Sequence, residues 1–407
     1  MKNRLDCSAL VHCALMNENW INAYRITATM TEKIDHVALQ QAMDSMPDRY
    51  PTICSRIVKG FSWYYTEKLN SIKVRPLDCG LLGSVNHRNV FSQAINIMYD
   101  DNRIILEAFH SVTDGHGAFT FLNSLLGTYC SIISGSLQPS YHKGTAVEEE
   151  FEDAFLRYGD AEPVKEIFAP VDNPFFFSDE GHDLDATIFK MKSAQVRQLA
   201  KNARCSMNDL LVATVFKAIF RLKGTEGKSV ALTVPVNLRR YFDTPSLLNF
   251  SYLSTATVKN RDSHMSLHDM AMHIREQLKK QNNEKHLRRA ISKIVAVSKA
   301  PYIRYVPVFV KNFVIKLALK LGVEKTCMTV TNLGNVATML PAAEGYLKNV
   351  DVLLSPRRSA PYNCGIVSYN DDLHLILTHN KGKDLFVKGL TEQLSEMGIE
   401  FTTAAYI

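Results

Sequence analysis

Apolar and polar positions along this chain switch between two periods. Residues 21–30 (INAYRITATM) alternate with a period of two and predict a strand. Asp35 is placed to cap a following helix whose apolar stripe is Val37, Ala38, Leu39, Ala42, Met43 and Met46. Pro47 and Pro51 bracket the end of that segment, and residues 51–67 read as extended chain. Residues 95–110 predict a hairpin, INIMY and RIILEAFH, turned by Asp100, Asp101 and Asn102. Helical spacing returns from Phe119 through Leu122, Leu125, Leu126 and Tyr129, which leaves His110 to Gly117 in a tight loop. Residues 135–185 carry an acidic run, Glu148 to Asp153, then Pro163, Pro170 and Pro174, and read as a crossover with some helix at 150–158.

The second half repeats the mixture. A strand is expected at 187–191, a helix capped by Ser193, and a long apolar helix opened by Ser206 or Asn208. Strands follow at 228–234, ending in Pro235, and at 253–258. Helices follow at 266–283 and 287–299. Residues 328–330 form a strand running into Thr331-Asn332-Leu333-Gly334. A hairpin (NCGIVSY, then LHLILTHN) precedes a last helix at 382–397. This order is mixed rather than strictly alternating. It predicts an α/β fold of the α+β, mixed-sheet sandwich kind, not a doubly wound sheet.

Length divides the chain further. Its 407 residues exceed one ordinary core and suit two of about 180–220 residues each. The expected division is an N-terminal subdomain, 1–180, and a C-terminal one, 181–407. Apolar residues at 46% and charged residues at 22% are those of a globular protein. A net charge of +6 favours anionic ligands weakly, and no basic run or reader motif points to nucleic acid. The eight cysteines include no Cys-x-x-Cys pair and no zinc spacing, so no metal is expected, and the compartment reads as reducing and cytoplasmic. No stretch is apolar for long enough to span a membrane. The nearest, 306–321 (VPVFVKNFVIKLALKL), is interrupted by Lys311, Lys316 and Lys320. It has two readings: a domain helix with its lysines in water, or an amphipathic helix making weak contact with a membrane surface.

The candidate chemistry lies in Glu107-Ala108-Phe109-His110-Ser111-Val112-Thr113-Asp114-Gly115-His116-Gly117. A histidine at a strand end, in a tight loop before a helix, is placed to face a cavity as a general base. Asp114 either orients that imidazole or pairs with an arginine and holds the loop. Gly115 and Gly117 permit positive φ and close backbone approach.

This segment and its surroundings resemble the CoA-dependent acyltransferase superfamily: chloramphenicol acetyltransferase, the condensation domains of peptide synthetases and the alcohol acetyltransferases. The family pattern is His-His-x-x-x-Asp-Gly. Phe109 stands at the first histidine, His110 at the second, and Asp114 and Gly115 at the remainder. Arg49-Tyr50-Pro51, Ser206 to Leu211, Val234 to Arg240 with Asn249-Phe250, and Thr331 to Gly334 match further segments in the family's order. The resemblance covers roughly residues 20–400 and is closest to bacterial alcohol acetyltransferase-like proteins. The Asp-Phe-Gly-Trp segment of the plant branch is absent.

The resemblance implies two chloramphenicol-acetyltransferase-like subdomains with a tunnel between them. It implies an acyl-CoA co-substrate, no bound cofactor, and a hydroxyl or amine acceptor deprotonated by His110. Asp114 would then be salt-bridged to Arg239, with Arg240 as the fallback. Gly115, His116, Asn332, Tyr362 and Ser368 would line the substrate path, and the Gly115 N–H, Asn332 or Asn249 would donate to the oxyanion. The alternatives are an acyl carrier protein as donor, in a condensation-type enzyme, and a non-catalytic ligand-binding member of the fold. A hydrolase elbow, a P-loop and a dinucleotide fingerprint are all missing.

Overall fold

The computed structural model describes residues 2–18, 20–135, 148–163, 171–177, 184–299, 305–322, 325–357, 360–380 and 384–406. The expected boundary at 180/181 and about half of the crossover 135–185 lie outside them. The architecture is the expected mixed α/β one, built on three sheets. A five-stranded sheet runs in the order Leu347–Leu354, Ala23–Met30, Arg103–Phe109, Ile95–Asp100, Arg75–Pro76. A seven-stranded sheet runs Ser251–Lys259, Ser229–Asn237, Met328–Asn335, Tyr362–Tyr369, Asp372–Asn380, Leu184–Lys192, Phe401–Ala405. A small three-stranded sheet joins Lys2–Arg4, Tyr64–Lys68 and Ser55–Lys59. Two large apolar cores accompany these sheets, the first built mostly from residues before 131 and the second from residues after 174.

Local chemistry explains most elements. The Asp35 carboxylate accepts from Val37 N and Ala38 N and opens His36–Asp44. Ser206 and Asp209 form a reciprocal capping box at the start of Met207–Phe220. In the hairpin Ile95–Asp100/Arg103–Phe109 the sheet is covered on both faces, so all of Ile104 to Phe109 is buried and the alternation is lost.

Several boundaries differ from the sequence reading. The helix expected from Phe119 begins at Gly115, because Asp114 caps it through Gly117 N; the loop is therefore only His110 to Asp114. Neither Gly115 nor Gly117 has positive φ. Gly117 is required for space, since a Cβ there would collide with Thr113 Oγ1 and the Leu247 carbonyl. Ser193 is the first helical residue rather than the cap, and Ala194 N is capped from a distance by Asp371 Oδ1 at 3.1 Å. The strand at 229 continues through Pro235 to Asn237. Beyond Thr233 its far side has no strand partner, so the missing N–H breaks no ladder.

The elements with no prediction include the helix Cys7–Leu15 and the strands Leu347–Leu354 and Phe401–Ala405. The helix is capped by Asp6, which accepts from Ser8 N at 2.8 Å and Ala9 N at 2.7 Å, while Asp153 Oδ2 accepts from Cys7 N at 3.2 Å. Burial, and then the charge of Asp153, raise the Asp6 carboxyl well above its ordinary value. Among the described residues no helix is long and apolar enough to cross a membrane.

Candidate active site

His110 follows the last residue of the buried strand Arg103–Phe109 and is fixed at the backbone, its N–H donating to Asn22 O at 2.9 Å. The chain then turns, with Val112 N donating to Phe109 O at 3.1 Å, and reaches Asp114. The imidazole is half-buried. It lies against His12 of the N-terminal helix, ring centroids 4.9 Å apart and planes tilted by 32°, and meets Tyr24 edge-on at 5.1 Å.

The tautomer follows from its partner. Asn249 Nδ2 donates to the His110 carbonyl, and Asn249 Oδ1 faces His110 Nδ1 at 2.8 Å. A carbonyl only accepts, so the amide group facing it must be the NH2. Oδ1 also only accepts, so Nδ1 must carry the proton. Nε2 therefore holds the lone pair. Burial lowers the imidazole pKa, and the charge of Asp114 and the bond to Asn249 only partly oppose this. The ring is neutral at neutral pH and open to a proton at Nε2.

Asp114 makes no hydrogen bond to that ring. Its Oδ1 caps the helix through Gly117 N at 3.2 Å, and its Oδ2 accepts from Arg239 Nη1 at 2.7 Å and Phe250 N at 2.9 Å. Burial pushes the carboxyl up, but the Arg239 charge and these bonds outweigh it, so its pKa lies below the ordinary value. Arg239 also donates to Ser246 O, from Nε at 3.0 Å and Nη2 at 2.7 Å, and to Leu248 O at 2.6 Å. The pair, 8% and 7% exposed, thus ties residues 246–250 to the start of the helix Gly115–Ile133. That segment carries Asn249. Arg240 points to solvent and takes no part.

The remaining predicted residues are distributed unevenly. Gly115 lies against Leu333, whose Cδ2 would be 3.5 Å from a Cβ there, so the irregular stretch Asn332-Leu333-Gly334 of the strand Met328–Asn335 abuts the helix start. Asn332 Oδ1 accepts from Gly334 N at 2.9 Å, and among the described residues no group accepts from its NH2. His116 is in the first helical turn; burial and then the charge of Arg239 depress its pKa. Ser368 pairs with Asn335 at the same end of the sheet. Tyr362 pairs with Met328 at the opposite end, six residues or about 20 Å along the strand. Its ring packs on Phe177 and Phe386 in the second core, away from His110. Asn363 is structural: Oδ1 accepts from Thr329 N, and Nδ2 donates to Ser355 O. Asn249, expected among the oxyanion donors, is engaged by the imidazole and its backbone instead.

The sequence reading missed His12 and Asn22. Asn22 Nδ2 lies 2.7 Å from His12 Nδ1, and its carbonyl takes the His110 N–H. Burial and the nearby His110 lower the His12 pKa well below its ordinary value, so the two adjacent rings are both neutral. The apolar run after Asp6, with His12 six residues on, was the available signal. Among the described residues no cluster of His, Cys, Asp and Glu is arranged to hold a metal ion.

No protein-family profile and no curated protein sequence matches the chain. Solved structures do. Polyketide synthase associated protein 5 from Mycobacterium tuberculosis superposes with a TM-score of 0.65 at 16% identity, covering 96% of each chain. TRI3 trichothecene 15-O-acetyltransferase from Fusarium sporotrichioides superposes at 0.65 and 11% identity, covering 97% of this chain and 94% of that one. The starter condensation domain of rhizomide synthetase RzmA, in complex with C8-CoA, superposes at 0.62 and 12% identity, covering 98% and 94%. The chain therefore has the fold these three proteins share.

Proposed function

We propose that the protein is an acyltransferase that moves an acyl group from acyl-CoA to a hydroxyl or amine acceptor, with His110 Nε2 as the general base. The observation that carries this reading is the Asn249 clamp, which leaves a neutral imidazole with its lone pair at Nε2. The fold is shared with an O-acetyltransferase and with a condensation domain solved with an acyl-CoA.

In the proposed reaction Nε2 takes the acceptor proton as the acceptor attacks the thioester carbonyl. A new C–O or C–N bond forms, the C–S bond breaks, and the proton passes from Nε2 to the departing thiolate. Asp114 acts at one remove, through Arg239 and the 246–250 segment that presents Asn249. The negative charge on the former carbonyl oxygen needs donors aimed at it. The unengaged Asn332 NH2 is the side chain in this neighbourhood best suited to the role. Gly115, His116 and Ser368 belong to the same region; Tyr362 does not. The two halves, 1–180 and 181–407, would admit donor and acceptor by separate routes to His110.

The test is acceptor-dependent thiol release from acyl-CoAs of graded length, with wild type and His110→Ala. The variant should keep the wild-type melting temperature and lose at least about 100-fold in rate. Release that survives in His110→Ala would remove the base from the mechanism. No release from any acyl-CoA, with transfer from an acyl-loaded carrier protein, would assign the donor to the carrier. No transfer from either would favour a non-catalytic binding role.

A further inference from the structure

The helix Val308–Gly322 leaves an apolar face in water, where a surface helix ordinarily turns polar side chains outward. Its inward side mixes apolar and polar groups: Val308 and Ile315 pack on the first core, and Lys311 and Asn312 are turned in beside them. Lys311 is fully buried, its ammonium 4.4 Å from the Trp63 ring centre and bonded to the Ser62 carbonyl. Asn312 Nδ2 donates to Tyr64 Oη at 2.9 Å. Its outward side is apolar. Phe309 is 69% exposed and Phe313 67%, with Val310, Val314 and Leu317 beside them. At 100° per residue these five fall within an arc of about 140°. Phe61, 78% exposed, extends the surface, because its carbonyl receives the Val308 N–H at 2.9 Å.

Charge says what covers this face. Residues 293–323 contain six Lys or Arg and no Asp or Glu. Lys316, exposed, lies at the edge of the apolar arc, next to Phe309 on the helical wheel. An apolar face with an exposed lysine at its edge, in a stretch of sequence without acidic residues, fits one occupant best: the interface of an anionic lipid bilayer, with the phenylalanines among the acyl chains and lysine at the headgroups. A groove on a protein partner would require a counterpart built around the ridge, and nothing in the fold suggests one. We infer that this helix, together with Phe61, docks the protein on anionic membrane surfaces. The inference does not depend on the proposed reaction.

The test is flotation of the full-length protein with phosphatidylcholine vesicles, alone or with about one-third phosphatidylglycerol. Wild type should float with the anionic vesicles and much less with the neutral ones, and added salt should weaken the association. Phe309→Ser/Phe313→Ser should lose about tenfold or more in binding with an unchanged melting temperature, because both side chains are already in water. Lys316→Glu should lose binding on anionic vesicles while leaving the apolar ridge intact. Equal flotation of wild type and both variants, or none at all, overturns the inference. So does a wild-type dimer in sedimentation that the double serine variant dissociates, which would assign the face to a second copy.

Discussion

Replacing Asp114 with alanine tests the central connection of the site. The carboxylate meets three donors: Arg239 Nη1, Phe250 N and Gly117 N. Breaking a buried ion pair by removing one partner costs about 3–5 kcal/mol, because the other charge is left desolvated. Losing the helix cap costs about 1 kcal/mol. The guanidinium keeps its bonds to Ser246 O and Leu248 O, so the total falls short of a simple sum, and we expect about 3–5 kcal/mol. That is comparable to the entire stability of a marginal domain. Urea unfolding followed by near-ultraviolet circular dichroism measures it. The double variant Asp114→Ala/Arg239→Met removes both charges and should recover about 2–3 kcal/mol. The Asp114 pKa is depressed, so its contribution is present at neutral pH and fades as pH falls below about 4. A loss below about 1 kcal/mol in the single variant, the value of an exposed pair, would refute this account.

Further predictions concern the imidazole, the N-terminal helix and Gly117. Because burial depresses His110, the acidic limb of the kcat/KM profile should lie below about pH 6.5. Asn249→Asp, placing a carboxylate against Nδ1–H, should move that limb upward by about one unit; an unmoved limb would detach Asn249 from the base. Asp6 has a raised pKa, so its folded form prefers the proton, and stability falls as pH rises from about 4 through the folded value. Asp6→Asn should therefore melt above wild type by a margin that grows with pH in calorimetry; a margin constant across pH would contradict it. Gly117→Ala should cost at least about 1–3 kcal/mol and lower kcat as well, since the new methyl displaces the segment that carries Asn249. Thermal melts and kinetics on the same preparation separate the two effects.

What was legible in the sequence is what is decided locally. Asp35 and Ser206 cap their helices by reaching two or three residues, and the hairpin around Asp101 closes on its own turn residues. The spacing of His110 and Asp114 was visible, whereas the work of Asn249 was not. An asparagine before a phenylalanine reads as a turn residue until Arg239 ties its segment to Asp114, 125 positions away. The strand Leu347–Leu354, its apolar run interrupted by Lys348, Asn349 and Asp351, takes its identity from Ala23–Met30, more than 300 residues earlier. In the helix Val308–Gly322 the lysines at 311 and 316 point in different directions, so periodicity alone could not choose its inner face. Trp63, far upstream, makes the choice by drawing Lys311 inward.

The pairing of Leu347–Leu354 with Ala23–Met30 also sets a timetable. The first sheet lacks its outer strand until residue 354 has left the ribosome. At about 5–20 residues per second, some 16–65 s pass between synthesis of the two strands. Throughout that interval Ala23–Met30 presents an open, apolar edge to anything that can add a strand. The nascent chain must either leave its first sheet unformed or keep that edge covered. In the cell, correct assembly of the His110 strand, its neighbour in that sheet, is thus governed by how the first half is held while the second is made.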